Sequence, residues 1–468
     1  VVTVSDALAY VSGNSELNVT GTVEILADNT IDVSSSVDGS TGSSGATLAV
    51  VVVDADTRAY IDGSTSTPTT GDLVDSITLT ATTNSTAASS ATSTAQGADN
   101  DESSTNQTTT LLGDPDGDGD NSDRAATSEG NINFAGALAL TIVNNVTESY
   151  VASNDDIATE TGGTDPRITI TASDTESSSA TADGSNTGSG ATGIGVGVAL
   201  NFTDVDSRAW LDGSGSLDSS GILVSATLAG GDTFSAEAKS GAGNAGKVSF
   251  AGSLAINVAD TFVEAAVLDD ASLNLGDTPL TLVASNTAKA TASAVPDVDD
   301  ADADGDLNTE EGLGIGASVA LNIANNDSRA IIGTDATFTN ASDISLKATG
   351  DFTTETEAKG GSAGGTALTP VGAVTVALND TVAEVGTGTS TLTLSGDLNL
   401  EATQSATTET TAEGDAKGNS AAIGASIGFT TAVNNAYTNL LRDTTSTAGS
   451  IQLLSRGTSS TRTNAKAS

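Results

Sequence analysis

The stretch that most constrains this chain is GIGVGVALNFTDVDSRAWLDGS, residues 193–214, because the chain writes it repeatedly. Close copies are ATLAVVVVDADTRAYIDGS (46–64) and GIGASVALNIANNDSRAIIG (314–333), with a looser copy, IGASIGFTTAVNNAYTNLL, at 423–441. A second kind alternates with these: FAGALALTIVNNVTESYVAS (134–153), FAGSLAINVADTFVEAAVLD (250–269) and VGAVTVALNDTVAEVGTG (371–388). Self-similarity at such spacing marks a stacked array, in which each repeat buries its apolar face only against its neighbours. The array reads as about eight units of roughly 57 residues, paired into two-unit blocks. Their bounds fall near 1–45, 46–134, 135–192, 193–249, 250–313, 314–369, 370–421 and 422–468, with acidic insertions at 99–130 and 296–311.

Within a unit everything has period two, and no segment offers an amphipathic face at period 3.6, so the class is all-β. Four parts recur. An alternating strand sends Ile194, Val196, Val198, Leu200 and Phe202 one way and Gly195, Gly197, Ala199 and Asn201 the other. A polar bend and a short strand, SRAWLDG, follow. Then come a strand such as DSITLTA (75–81) or DISLKAT (343–349) and a Thr/Ser/Ala-rich strand such as FTTETEAKG (352–360). The large residues of the first strand are expected to build the core. Gly and Ala on its other side imply that a second layer approaches closely, covering the strand on both sides.

Composition narrows what such an array does. The net charge of −46 and pI near 4.1 exclude nucleic acid and anionic membrane surfaces, which need clustered Lys and Arg. The chain has no Cys, no His and no Met. That removes disulfides, haem axial ligands, the usual zinc ligands and every His-based triad. No apolar run reaches the ~20 residues that span a bilayer. The opening VVTVSD carries neither initiator Met nor signal peptide, as a mature or excised piece would. Trp210 is the one Trp; aligned with Tyr60, Ile331 and Tyr437, it reads as a packing position.

One aligned position alternates in sign: Arg58, Glu148, Arg208, Glu264, Arg329, Glu384, with Tyr10 and Asn435 at the ends. If each unit makes one rung, stacked about 4.8 Å above the last, these side chains form a charge ladder that penalises a one-unit slip. If each unit makes two rungs, direct pairing weakens. Inheritance of each unit type with its own residue would give the same alternation.

Two Asp-rich segments interrupt the rhythm. Asp300, Asp302, Asp304, Gly305, Asp306, Asn308 and Glu311 match the twelve-position calcium loop, with acids at 1, 3 and 5, Gly at 6 and Glu at 12. Asp114, Asp116, Asp118 and Gly119 match its first half only; Asp120 follows, position 12 is Ala125, and Asp123 or Glu129 would have to substitute for the missing acid. Ca²⁺ is the expected ion, because hard carboxylate oxygens suit a hard cation. A solvated acidic loop would have the same composition. Both segments leave the fourth strand and are expected at one corner of the array.

The unit GVGVALNFTDVDSRAWLDGSGSLDSSGILVSATLAGGDTFSAEA resembles the repeats of giant secreted bacterial adhesins, of the filamentous-haemagglutinin-like and leukotoxin-type filamentous kinds. The resemblance covers essentially the whole chain and implies a right-handed parallel β-solenoid, extracellular or on the cell surface. The expected role is non-enzymatic: a calcium-stabilised adhesin stalk, or the repeating subunit of an extracellular filament. Such a body would associate with itself, end to end or by lateral bundling, and its further partner class is a host, matrix or cell-surface ligand. It would neither bind nucleic acid nor insert in a membrane. A periodic-surface module for ice or polysaccharide is the alternative, although the TxT pairs Thr78–Thr80 and Thr169–Thr171 do not recur in every unit. A carbohydrate-processing β-helix enzyme is third, since a carboxylate pair suffices for glycoside hydrolysis.

Overall fold

In the computed structural model the described residues are 1–39, 45–93, 132–160, 166–186, 190–229, 233–241, 245–296 and 312–468. They hold strands and no helix, and all paired strands run parallel. The fold is a parallel β-solenoid. Each sequence unit makes one wide rung, which settles the choice between one and two.

A rung has two long sides and one short side. The first long side stacks β1 (Val2–Val11), β3 (Gly45–Gly63), β5 (Ile132–Ser153), β8 (Gly190–Asp212), β12 (Ala245–Val267) and β15 (Leu313–Ile332), then the second halves of β17 (Ile344–Val385) and β19 (Leu398–Leu440). The second long side stacks β2 (Val23–Asp38), β4 (Ile77–Thr92), β7 (Ile168–Ser185), β10 (Ile222–Leu228) with β11 (Thr233–Gly241), and β14 (Leu280–Pro296). The first halves of β17 and β19 and then β21 (Ile451–Ala467) complete it. The short side pairs β6 (Ile157–Ala158) with β9 (Leu217–Asp218), β13 (Ser272–Asn274) with β16 (Thr337–Thr339), and β18 (Leu392–Leu394) with β20 (Thr444–Ser446). Asp270, Asp277, Asp335 and Asn340 turn its corners at φ between 53° and 63°, a conformation Asp and Asn tolerate better than other side chains. Arg442 ties this side together by donating to the carbonyls of Gly333, Ala336 and Gly386.

The cross-section is a wedge. At the wide end, Ile168, Ile170, Leu280 and Leu282 of the second side meet Leu211, Val267 and Ile332 of the first, with Leu217, Leu273 and Leu394 from the short side. At the narrow end the buried cluster is alanine throughout except for Val371. Between the two lies a buried zone that is apolar on the early rungs, with Ile31, Val33, Val51, Val53 and Val143, and rich in Asn, Thr and Ser on the later ones.

Two expectations are corrected by this geometry. First, β8 is one unbroken strand; the NFTDVDSRA segment extends where a bend was expected, because Asn201, Thr203 and Ser207 find buried partners inside the wedge. The third and fourth parts also fuse into single strands in β2, β4, β7 and β14. Second, the sidedness is inverted. Gly195, Gly197, Ala199 and Asn201 face inward, whereas Ile194, Val196, Val198 and Leu200 face outward half-buried and Phe202 is 36% exposed. The close second layer exists, but it is the opposite side of the same rung, and nothing among the described residues covers the large side chains.

The reason is room. A Cβ added to Gly195 would lie 1.9 Å from the carbonyl oxygen of Gly241, and one on Gly197 would lie 2.0 Å from that of Lys239. Backbone faces backbone here, so no larger residue fits. Gly197→Ala is therefore expected to cost about 2–3 kcal/mol or more, by forcing the two sides apart. Gly372→Ala, on the outer side with nothing within 4 Å of its added Cβ, is expected to be neutral or stabilising. Thermal unfolding followed by circular dichroism distinguishes them.

Candidate functional site

Parallel in-register stacking turns each strand position into a column running along the axis. The outer side of the first long face is therefore read as columns. From the narrow end they begin with Phe134, Ile194, Phe250 and Ile315; then Gly136, Val196, Gly252 and Ala317; then Leu138, Val198, Leu254 and Val319. Next come Leu140, Leu200, Ile256 and Leu321, and then Ile142, Phe202, Val258 and Ile323. All five are uncharged. The sixth column begins the polar half, where Asn144 donates to Asp54 at 2.8 Å and Asn325 to Asp260 at 2.9 Å. Pairing amide with carboxylate spares most of the repulsion that an all-Asp column would suffer.

Arg58, Glu148, Arg208, Glu264 and Arg329 fall in one column on β3, β5, β8, β12 and β15. Arg58 reaches Glu148 at 3.2 Å and its own strand's Asp56 at 2.7 Å. Arg208 pairs with Asp206 at 2.9 Å and Arg329 with Asp327 at 3.3 Å. Both guanidiniums also lie over the Phe262 ring, 4.7 and 5.3 Å from its centre. Burial raises the Glu264 carboxyl, while Arg208 and Arg329 on either side pull it down. Burial also pushes Asp206 up to about 6, against the pull of Arg208.

Glu384 does not join this ladder. Arg329 pairs with Val382, and Glu384 pairs with Ile331, two residues further along. At the other end Arg58 meets Leu8, not Tyr10, and Asn435 meets Asp380. Likeness between the bends puts Glu384 at this position, but the backbone register sets it two residues further along. Tyr10 instead opens the neighbouring column, where Tyr10, Tyr60, Tyr150 and Trp210 stack with ring centres 5.0, 4.7 and 3.9 Å apart and planes within 7°. Ile331 shares that column, whereas Tyr437 stands beside Val382. The rings cover one another's faces, leaving edges to solvent, so the stack is no open platform for a sugar face. Burial pushes the Tyr150 hydroxyl up to about 12, with Tyr60 adding to the effect.

The polar zone inside the wedge repeats the column principle. Asn201 donates to Asn257 at 2.8 Å and Asn257 to Asn322 at 2.9 Å. A second run leads from Thr261 to Asn326, Asn379 and Asn434, at 2.8, 2.7 and 2.7 Å. The signal was present in the sequence: Asn recurs at one place in LNFTD, INVAD and LNIANN, always on the small-residue side. The interior also buries two acids, Asp174 and Glu176 of β7, each at 0% exposure. The Asn145 amide donates to Asp174 at 3.0 Å and to Glu176 at 3.3 Å, and Thr147 donates to Asp174 at 2.9 Å. Burial pushes Asp174 up to about 7, against the opposing effect of Thr147.

The calcium-loop residues Asp114, Asp116, Asp118, Asp120 and Asp123, and Asp300, Asp302, Asp304, Asp306, Asn308 and Glu311, lie outside the described residues. Their attachment points are described. The chain leaves β4 after Ser93 and re-enters at β5, and leaves β14 at Pro296 and re-enters at β15, both times at the narrow end. Among the described residues no three acidic side chains gather as a metal would require. No family model, no curated protein and no solved structure matches the chain.

The buried acid yields a prediction with a definite sign. Asp174 stands at about 7 when folded against 3.8 unexposed to burial. The folded state therefore holds the proton more tightly, and this contribution is present near pH 4 and lost as pH rises through about 7. The melting temperature is expected to be higher at pH 5 than at pH 8. Asp174→Asn, which keeps the shape without the charge, is expected to raise stability at pH 8 by on the order of 2–4 kcal/mol and to flatten the pH profile.

Proposed function

We propose that this chain is a structural shaft of the bacterial exterior: an adhesin stalk or the repeating body of an extracellular filament, with no catalytic role. One observation carries the reading. Rungs are joined to one another by side-chain columns inside and out, as in the Arg58–Glu148 pair, the Tyr60–Tyr150–Trp210 stack and the Asn201–Asn257–Asn322 chain. Continuous ladders stiffen a rod, and a stiff rod displaying periodic faces suits a stalk or filament better than a pocketed enzyme.

Electron microscopy of the purified protein tests the reading. Eight rungs span roughly 35–40 Å at about 4.8 Å each. Filaments many times that length, with a constant cross-section, are expected; particles that remain single rods at every concentration would overturn the filament form. Surface binding by such single rods would leave the stalk form standing.

Calcium is part of the proposal. The two acidic segments join the array at the narrow end, where the backbones of the two sides meet, so cation binding there would neutralise charge in a chain of −46. Adding millimolar Ca²⁺ is expected to raise the melting temperature by several degrees over the same protein in chelator, by mass action on the folded state. Glu311→Gln with Asp300→Asn is expected to remove most of that shift.

The periodic-surface reading has an observation of its own. The outer side of the second long face carries the hydroxyl column Thr82, Ser173, Thr227, Ser285, Thr349 and Thr403. Lys347, Glu401, Lys289 and Glu355 interrupt the neighbouring columns, which favours the shaft.

A further inference from the structure

The apolar half of the first long face calls for an occupant. Across β5, β8, β12 and β15 its five columns, of which the last four continue onto β3, and all five onto the second half of β17, present an uncharged surface, periodic in both directions. From strand and residue spacings it measures about 25 Å by 25 Å, or about 600 Å². That is at the upper limit of what a monomer leaves uncovered, and side chains such as Phe250 and Val319 are 37% and 46% exposed.

We propose that this half-face is a homotypic interface, on which a second copy of the chain docks face to face with its axis parallel to the first. The inference rests on the reading of the protein as a self-associating shaft, and names the surface and the partner. Three observations carry it. Two such patches together bury about 1,200 Å², the lower range for a specific stable contact. Charge selects the face: two bodies of −46 repel, and these five columns are a broad uncharged surface on which they can approach. Shape is self-complementary. Around Val196, Gly252 and Ala317 of the second column lies a furrow of about 330 Å³, with Phe250 on one side and Val198, Leu254 and Val319 of the third column on the other. The fourth column, Leu140, Leu200, Ile256 and Leu321, is bulky throughout.

The orientation follows from these columns. A two-fold axis parallel to the solenoid, through the third column of Leu138, Val198, Leu254 and Val319, sets each furrow against the other copy's fourth-column ridge. It also sends the two charged halves outward on opposite sides. The antiparallel alternative sets furrow on furrow and lays one Asp-rich half over the other, leaving a void and repulsion. Such a contact is isologous and closed, so it makes pairs of rods and adds nothing to their length.

Because the chain has no Cys, single-cysteine variants report the contact cleanly. Val198→Cys lies on the proposed axis and Ile194→Cys lies two columns away, about 13 Å along the strand. Under mild copper-catalysed air oxidation Val198→Cys is expected to give a disulfide-linked dimer, and Ile194→Cys a monomer. Light scattering of the wild-type protein is expected to give twice 45.7 kDa or a higher even multiple. Leu200→Glu with Leu254→Glu, both outward-facing, is expected to halve the number of chains laterally with unchanged circular dichroism and melting temperature. A dimer from Ile194→Cys would overturn the parallel arrangement. A wild-type monomer at 100 µM would overturn the interface, and if that monomer floated with phosphatidylcholine vesicles the patch would belong to lipid. Paired short rods without filaments would sink the filament reading while leaving this one standing; single-width filaments would do the reverse.

Discussion

The structure depends on how closely its two long sides approach at the narrow end. Where the carbonyl of Gly241 faces Gly195 there is no volume for a methyl group. A strand has only two faces, so residues excluded from the interior must carry bulk on the exterior or carry none. The chain carries bulk there, and the result is a rung whose apolar sides swap halfway along. Toward the narrow end Gly and Ala point in and Leu, Ile and Phe point out. Toward the wide end Val205 and Leu211 point in, and Asp204, Asp206 and Arg208 point out. The wedge, the apolar outer half and the charged outer half follow from one distance between backbones.

Axial repetition then decides which side chains are tolerated. Each residue meets its counterparts above and below at about 4.8 Å, so the chemistry of a position is its interaction with itself. Asn, Thr and aromatic rings gain from that, and the Asn201–Asn257–Asn322 chain and the Tyr–Trp stack are the outcome. Carboxylates lose: in the sixth column Asn144 and Asn325 donate to Asp54 and Asp260, burial and the adjacent Asp260 raise the Asp204 carboxyl, and in the eighth Glu alternates with Arg. Asp174 is the exception, and it remains buried by moving its proton affinity into the neutral range.

Much of this was legible in advance. The repeat period and the period-two pattern give a parallel solenoid, whereas one rung per unit is read only from the strand pairing. The ladder from Arg58 to Arg329 was legible because the Arg copies share a short word, TRAYI, SRAWL and SRAII, that fixes their place and that of the Glu copies between them. Sidedness was not. Alternation says that Ile194 and Gly195 lie on opposite faces, but the rule that bulk goes inward assumes an interior with room for it, and the sequence of one strand cannot state the distance to another. Gly on alternate positions was the available sign. Glu384 failed for a different reason. Likeness of short words fixed its place, whereas hydrogen-bond register is set by the whole strand, and Asn379 bonded to Asn326 holds that strand two residues away.

The internal amide chains give the rod a direction. Each Asn in both runs donates toward the later rung, from Asn201 to Asn322 and from Asn326 to Asn434. Aligned amide dipoles reinforce one another, so reversing one rung would break donors against donors on both sides. That single direction along the axis is a property the proposed stalk or filament would use, since its two ends must differ.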